Sequence, residues 1–229
     1  MKRVGIIGGM GSLASADLYS KIVSLTPAKC DQEHILLSID NNALIPDRSE
    51  YIFRGDEIKP DPLPYLIDSA KRLENSGCKA FCMACNTAHF FADDLKKHTS
   101  MKFLHMPEIT VSSISKIYPN AKDIAVIATV GTRRTGIYDK FLNLKGFNSV
   151  EFSPQIEQNI MECIYKGVKA GKTKEYVGLF RDTLKMIKAD VFIAACTEIP
   201  IFIPYLNSEF KFIDATSELA KAIINFAKS

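Results

Sequence analysis

The chain has 229 residues, of which 47% are hydrophobic and 24% charged, and its formal net charge is +3. This length suits two small domains, and the interspersed charge, without a basic stripe, gives no reason to expect a nucleic-acid partner. Apolar runs are too short to span a membrane, and six irregularly spaced cysteines are typical of a reducing compartment, so we expect a cytoplasmic protein that does not bind membranes.

Short apolar segments alternate with longer amphipathic segments along the whole chain. In chain order, the predicted strands are residues 4–7, 35–39, 80–84, 103–105, 124–128, 150–152, 191–195 and 212–213. The predicted helices are residues 14–25, 64–74, 88–97, 109–117, 136–144, 156–170, 174–187 and 217–227. The central strands are continuously apolar, which is typical of strands covered on both faces. The pattern therefore predicts an α/β fold with mostly parallel sheets flanked by helices.

An internal repeat relates the two halves of the chain. Residues 3–12 align with residues 123–132, strand with strand, and the segment 79–87 pairs with 189–197 so that Cys85 matches Cys196. The match between the two cysteines includes a one-residue shift within the second pair of segments. Either pairing alone is common among parallel strands, but two pairings in the same order favour a duplication. We therefore predict two pseudo-symmetric domains, residues 1–118 and 119–214. The C-terminal helix, within 215–229, could join the first of these.

Cys85 and Cys196 each follow an apolar strand and precede a polar segment that starts a helix. Ligands of parallel α/β sheets bind beyond the carboxyl ends of the strands. Backbone N–H groups at the start of the next helix are expected to lower the pKa of such a thiol from about 8.5 towards neutrality. If the two halves face each other, the two thiols do so as well, which is the geometry of a two-base proton exchange at one carbon.

Other interpretations of the cysteines remain open. A cysteine is most often a small buried hydrophobic residue, and this role is expected for the remaining four, Cys30, Cys78, Cys82 and Cys163. Cys82 and Cys85 form a C-x-x-C pair, which also occurs in redox and zinc sites, but no second close pair exists and no metal is expected. A cysteine hydrolase would use His89 as its base and would leave Cys196 unexplained.

Five segments together carry a resemblance to a known family. They are residues 8–11 (GGMG), 83–89 (MACNTAH), 128–132 (ATVGT), 196–198 (CTE) and 214–216 (DAT). Along essentially its whole length, the chain resembles the aspartate/glutamate racemase family. The resemblance implies two pseudo-symmetric α/β domains with the active site in the cleft between them, the two motif cysteines as bases, and no pyridoxal phosphate or other cofactor. We also expect a homodimer.

The same motifs indicate a branch of that family. Glutamate racemases of cell-wall synthesis usually carry Asp-Ser-Gly after the first strand and Cys-Thr-His at the second cysteine. This chain has Gly-Gly-Met and Cys-Thr-Glu instead, which is similar to the aspartate-type or broad-specificity branch. Ser12 stands where that branch often has proline.

Polar residues at the strand ends are candidates for holding the substrate. Asn86, Thr87, Thr129 and Thr197 can donate hydrogen bonds to an α-carboxylate, although helix capping is an equally good account of Asn86 and Thr87. Met10 and Thr132, in the two matching turns, complete the set of predicted substrate contacts.

Charged residues are candidates for the far end of a dicarboxylic substrate. Arg48, in a polar loop over residues 45–50, can bind a carboxylate through two parallel hydrogen bonds, or it is a surface arginine. The resemblance supports Arg48 and matches Lys166 to a second family cation, although Lys166 also fits a solvated lysine. His89 and Glu198 are possible auxiliaries that orient the thiols or tune their charge.

The resulting hypothesis is racemisation of a free acidic amino acid, aspartate first and glutamate second. A related decarboxylase or isomerase of the same superfamily is the first alternative. A non-catalytic amino-acid-binding domain is the second, although a binding domain has no need for two equivalent thiols.

Overall fold

A computed structural model describes residues 1–54, 60–206 and 209–229 of the chain. The chain divides into two compact units, Met1–Ile109 with Thr216–Ser229, and Thr110–Ala215. Among the described residues, each unit contains a parallel four-stranded sheet flanked by helices, so the predicted α/β fold is confirmed. Whether the predicted segments 1–118 and 119–214 are independent folding domains stays a prediction.

The first unit holds the sheet formed by β1 to β4. Its strands are β1 (Val4–Gly8), β2 (Leu37–Asn41), β3 (Ala80–Met83) and β4 (Lys102–Phe103). Its helices are α1 (Ser12–Leu25), α2 (Arg48–Arg54), α3 (Pro62–Asn75), α4 (Ala92–Leu95) and the start of α5 (Met106–Ile117), together with nearly all of the C-terminal α10 (Ala215–Lys228). Short 3₁₀ turns occupy Asp31–Glu33, Thr87–Phe91 and Lys96–His98.

The second unit holds the sheet formed by β5 to β8. Its strands are β5 (Asp123–Ile127), β6 (Asn148–Ser149), β7 (Val191–Ala194) and β8 (Phe212–Asp214). Its helices are α6 (Val130–Arg134), α7 (Asp139–Leu144), α8 (Pro154–Glu162) and α9 (Thr173–Lys185). A π-helical turn, Cys163–Val168, continues α8, and 3₁₀ turns occupy Ile199–Ile201 and Ile203–Tyr205.

The two sheets repeat each other in strand order and in register. The orders are β2-β1-β3-β4 and β6-β5-β7-β8, and every described pair is parallel. Val4 lies opposite Ala80 in the first sheet, as Ile124 lies opposite Val191 in the second. The central strands β1, β3 and β7 are buried along their whole length, which explains their continuous apolar sequence. The predicted pseudo-symmetry is therefore confirmed at the level of topology.

The first turns of helices α3 and α8 are stabilised by capping residues. The carboxylate of Asp61 accepts a hydrogen bond of 2.8 Å from the backbone N–H of Leu63, and Pro62 occupies the first turn of α3. Ser153 and Pro154 start α8 in the same way. A side-chain acceptor satisfies a backbone donor that the helix leaves unpaired, and proline fits there because it has no N–H to lose.

Several predicted elements were wrong in detail. The polar loop expected over 45–50 contains the start of helix α2. The helix expected over 136–144 begins three residues later, as α7, and the separate short helix α6 before it was not predicted. The segment expected as one helix over 156–170 changes to a π-turn after Glu162. The strand expected at 150–152 lies two residues earlier, at β6.

One of the four cysteines expected to be buried is exposed. Cys30 precedes the 3₁₀ turn Asp31–Glu33 in the connection between α1 and β2, where no core element covers it, whereas Cys78, Cys82 and Cys163 are buried as predicted. Within the described residues, no helix is both long and apolar enough to cross a bilayer.

Candidate active site

A glycine-rich turn follows β1 and leads into α1. Gly9 has φ of +86°, and a Cβ there would lie 2.3 Å from the backbone carbon of Asn42. A Cβ on Gly8 would lie 2.3 Å from Oγ of Ser15, whose hydroxyl accepts a hydrogen bond of 3.1 Å from the N–H of Gly9. Both glycines are therefore required by packing within the first unit, and a ligand is not needed to explain them.

Met10 and Arg48 join this turn to the start of α2. The Nη2 group of Arg48 donates to the carbonyl of Met10 at 3.0 Å, and Nη1 donates to the carbonyls of Ile45 and Pro46 at 3.3 and 2.9 Å. Among the described residues, the buried Nε of Arg48 has no hydrogen-bond partner. The guanidinium of Arg48 thus binds backbone carbonyls on both sides of the turn. The Met10 side chain is buried in the core of the first unit.

The start of α2 explains why Arg48 is not in an open loop. The carboxylate of Asp47 accepts from the N–H of Glu50 at 2.8 Å, which is the contact of an N-cap residue. An Asp followed three residues later by Glu is the sequence signature of a helix start, and this signal could have located α2 in advance.

Cys85 lies just beyond the carboxyl end of β3 and is 8% exposed. Asn86 and Thr87, which follow it, are also buried. Within the described residues, the side chain of Asn86 makes no capping hydrogen bond to the 3₁₀ turn Thr87–Phe91. The capping account of Asn86 is therefore not supported.

His89 holds the backbone around Cys85 and does not act on its thiol. Its Nδ1 lies 2.9 Å from the carbonyl of Cys85 and 3.2 Å from that of Asn86, while Nε2 accepts from the N–H of Met106 at 3.2 Å. Burial lowers the pKa of His89 to about 4, so the ring is neutral with its proton on Nδ1. Because both nitrogens bind the backbone, the cysteine-hydrolase alternative lacks its base.

Cys82 does not share the position of Cys85. Its side chain is fully buried within β3, and this burial raises the pKa of its thiol. Among the described residues, no group of three or more His, Cys, Asp or Glu side chains could hold a metal ion.

The matching turn of the second unit is capped by a threonine. The hydroxyl oxygen of Thr129 accepts from the N–H of Thr132 at 3.4 Å, at the start of α6. Thr132 itself is buried. Capping therefore accounts for Thr129, and any contact of Thr129 with a ligand is additional to it.

Cys196 follows β7 and lies beside a carboxylate. Its thiol donates to Oε2 of Glu198 at 2.9 Å, and the hydroxyl of Thr197 donates to the same oxygen at 2.9 Å. Burial, the negative charge of Glu198 and this hydrogen bond raise the pKa of Cys196, although a backbone hydrogen bond from Glu198 and the charge of Lys169 oppose the rise.

The expected lowering of the pKa at Cys196 was therefore wrong. The backbone donor that was expected does act on the thiol, but burial and Glu198 outweigh it. The segment that follows is the single 3₁₀ turn Ile199–Ile201, which offers far fewer aligned peptide dipoles than a long helix.

The two lysines after α8 have different surroundings. Lys166 is 68% exposed and pairs with Glu162 at 3.3 Å on its own helix. Lys169, which sequence reasoning missed, pairs with Glu198 at 3.8 Å. The π-turn Cys163–Val168 lies between α8 and Lys169, and the N–H of Lys169 donates to the carbonyl of Ile164 five residues earlier. No pattern of residues in this segment reveals the π-turn.

Comparisons with known proteins agree with this arrangement. The model of the Asp/Glu/hydantoin racemase family matches residues 7–223. The broad specificity amino-acid racemase RacX of Bacillus subtilis is 26% identical over 97% of this chain and 96% of its own length. Picrophilus torridus aspartate racemase is 31% identical, with a TM-score of 0.84 over 100% of this chain and 95% of that one.

A second solved structure extends the agreement in fold. An aspartate racemase homologue from Pyrococcus horikoshii superimposes with a TM-score of 0.81 over 100% of both chains at 22% identity. The family match covers more than half of the chain, and the curated relative and the structures span nearly all of it. The chain therefore belongs to the Asp/Glu/hydantoin racemase family and is an amino-acid racemase.

Proposed function

We propose that the protein racemises aspartate, and glutamate as a second substrate, by proton transfer between Cys85 and Cys196. One observation carries this proposal. The two sheets have the same strand order and register, and the equivalent strands β3 and β7 each lead into a cysteine two residues beyond their last residue. Two equivalent thiols are what a reaction with two mirror-related substrates requires.

The substrate preference is supported by the relatives. The Picrophilus torridus relative is described as an aspartate racemase, and RacX is described as having broad specificity. We assign the α-carboxylate to donors beside the thiols, namely Asn86, Thr87, Thr129, Thr132 and Thr197. The distal carboxylate is assigned to Nε–H of Arg48, with Lys166 as the weaker second cation because its ammonium is exposed and already paired. Met10 contributes its carbonyl, which positions Arg48.

The chemical difficulty is the weak acidity of the α-proton. A thiolate removes it from one face of the substrate, and a thiol on the other face returns a proton, which inverts the centre. The carbanion between these steps needs hydrogen bonds to its carboxylate and exclusion of water. One cysteine must be protonated while the other is ionised, so we expect a bell-shaped pH dependence of the rate.

The surroundings of Cys196 suggest which thiol begins as the acid. Its hydrogen bond to the carboxylate of Glu198 stabilises the protonated form. In the free enzyme, Cys196 is therefore the proton donor in our scheme, and Cys85 is the base. Turnover in the opposite direction starts from the opposite protonation state, with the proton on Cys85 and a thiolate at Cys196.

The test uses single-enantiomer substrates in heavy water. Incubation with L-aspartate should produce D-aspartate whose α-position carries deuterium, and L-glutamate should react more slowly. Chiral chromatography and mass spectrometry measure both products. Release of carbon dioxide would support a decarboxylase instead, and tight binding of aspartate without deuterium incorporation would support a binding domain.

We propose further that the protein is a cytoplasmic homodimer. Its six unpaired thiols are typical of a reducing compartment. Exposed apolar side chains on α1 and along the edge strand β2, including Tyr19, Leu36 and Ile39, are the kind of surface that a second copy covers. Sedimentation equilibrium of the purified protein would measure its mass, and a mass of one chain would exclude the dimer.

A further inference from the structure

Lys169 is connected to the thiol of Cys196 through a single carboxylate. Oε2 of Glu198 accepts from Cys196, and Oε1 of the same side chain lies 3.8 Å from Nζ of Lys169. The ammonium also lies 4.5 Å from the centre of the Tyr165 ring. Two independent contacts, one with a charge and one with an aromatic face, therefore hold the Lys169 head group in place.

The backbone explains why Lys169 reaches this carboxylate. A π-turn winds more residues into each turn than an α-helix, so every residue after it is rotated about the helix axis relative to a continued α-helix. The turn is packed closely against α9, since a Cβ on Gly167 would lie 3.0 Å from Cβ of Tyr176. The position of Lys169 is therefore set by packing within the second unit.

Lys169 offsets the negative charge that Glu198 places beside Cys196. Glu198 places a negative charge against the sulfur, where a thiolate would be repelled. Three contributions favour the thiolate or offset that charge: the backbone donor of Glu198, the hydroxyl of Thr197 on the carboxylate, and the ammonium of Lys169. Among the described residues, Lys169 is the cation that pairs with Glu198. Its side chain is 45% exposed, so it can be replaced without loss of core packing.

We propose that Lys169 is a positioning residue for Cys196. By pairing with Glu198, it neutralises the charge beside the sulfur and allows Cys196 to ionise when the reaction requires a thiolate on that side. The proposal rests on the proposed function only for its effect on turnover, because its effect on the reactivity of the thiol can be measured without substrate.

The experiment measures alkylation of Cys196 in the full-length protein. Iodoacetamide reacts with the thiolate, and peptide mass spectrometry reports the rate at each cysteine separately. Lys169→Met should slow alkylation of Cys196 about threefold to tenfold at pH 8, since tenfold corresponds to one unit of pKa. Lys169→Gln should have the same effect, and Lys169→Arg should restore the rate.

Two controls make the result specific. Lys172→Met removes a nearby exposed lysine and should leave the alkylation rate of Cys196 unchanged within about twofold. In a Glu198→Gln background, Lys169→Met should slow alkylation of Cys196 less than it does in the wild-type protein, because the charge that Lys169 pairs with is gone and only the direct attraction between its ammonium and the thiolate remains. Thermal unfolding of each variant checks that the fold is retained.

The outcomes separate this proposal from the proposed function. The role of Lys169 would be overturned, whatever the activity, if Lys169→Met left the alkylation rate of Cys196 unchanged. It would also be overturned if Lys169→Met lowered that rate by the same factor in the Glu198→Gln background as in the wild-type protein. If alkylation responds as expected but neither amino acid is deuterated by the wild-type protein, the proposed function fails and the electrostatic pairing stands.

Discussion

Cys85 and Cys196 occupy equivalent strand ends but differ in what surrounds them. Cys85 belongs to the apolar core of the first unit, and the imidazole four residues after it hydrogen-bonds to backbone atoms. Around Cys196 a carboxylate binds the sulfur and a lysine binds the carboxylate. The fold thus repeats the position of a thiol in each unit, and in the second unit the carboxylate two residues after the thiol raises its pKa.

The difference arises at two sequence positions. Two residues after the cysteine, the first unit has Thr87 and the second has Glu198; four residues after it, they have His89 and Pro200. A racemase acts on two enantiomers, and the mechanism we propose does not require identical acids, because each thiol would alternate between proton donor and proton acceptor. A duplicated scaffold can therefore carry two electrostatically different sites.

The largest expected effect is the loss of either thiol. Cys85→Ser and Cys196→Ser should each lower kcat for racemisation by about 10²–10⁴, because general acid–base transfer contributes on that order and a hydroxyl is far less acidic than a thiol. Chiral chromatography measures the rate in both directions. Cys30→Ser, at an exposed cysteine, is the matched control and should retain turnover. Normal turnover in Cys85→Ser would contradict the two-base mechanism.

The two single variants also compare the thiols directly. Each should still exchange the α-proton of one enantiomer with solvent faster than that of the other, since one base remains on one face. Nuclear magnetic resonance of the α-position in heavy water follows this exchange. Equal residual exchange of both enantiomers in both variants would mean that the thiols do not lie on opposite faces.

A smaller effect is expected for His89, which distinguishes the first site. His89→Leu removes an acceptor from the N–H of Met106 and a donor to the carbonyl of Cys85, and should lower the free energy of unfolding by about 1–3 kcal/mol. Urea unfolding measures the change. A loss of activity without loss of stability would instead indicate a direct role in the reaction.

The pH dependence of stability provides a second test of His89. Its pKa of about 4 in the folded protein lies below that of an unfolded histidine, near 6.5, so protonation favours unfolding. Its contribution is complete above about pH 6.5 and is lost as the pH falls towards 4, with a slope of up to about 1.4 kcal/mol per pH unit. In His89→Leu, urea midpoints should vary less over this window, and an unchanged slope would exclude His89 as its source.

Glu198→Gln should make the two sites more alike. Removal of the negative charge lowers the pKa of Cys196 towards that of an ordinary thiol, because a charge that disfavours the thiolate has gone. Alkylation of Cys196 at pH 7 should become about tenfold faster, which corresponds to one unit of pKa. Glu162→Gln, at a carboxylate paired with Lys166, is the control. Slower alkylation in Glu198→Gln would mean that Glu198 lowers the pKa of Cys196, which is the opposite of our interpretation.

The smallest effect is expected for Lys166. Its ammonium is exposed and pairs on the surface, where such interactions are worth about 0–1 kcal/mol. Lys166→Met should therefore raise KM for aspartate by at most about threefold to fivefold and leave kcat nearly unchanged. Initial rates over a range of aspartate concentrations measure both constants. A large loss of kcat would place Lys166 at the reacting atoms.

The fold was predictable because its signals are local and repeated. Continuous apolar strands such as β1 and β7 identify buried parallel sheets, and the same sequence pattern before Cys85 and Cys196 identifies the repeat. Helix α2 could also have been predicted from the sequence, because Asp47 and Glu50 have the spacing that is typical of a helix start.

The electrostatics of the site were not predictable in the same way. The contact between Lys169 and Glu198 depends on a π-turn, which changes the direction of a side chain without altering any periodic pattern enough to be recognised. The pKa of Cys196 depends on a balance between burial, one carboxylate, one backbone donor and one lysine. The sequence identifies the backbone donor and the carboxylate, but only the coordinates give their distances from the sulfur. Those distances decide whether the pKa of Cys196 rises or falls.

The hydrogen bond from Cys196 to Glu198 also has a consequence for chemical durability. Peroxides attack the thiolate and not the thiol, and Cys196 is the less buried of the two equivalent cysteines. Because the resting sulfur keeps its proton, it resists conversion to sulfenic acid between turnovers. By this reasoning, Glu198→Gln should make Cys196 more sensitive to peroxide as well as to alkylation.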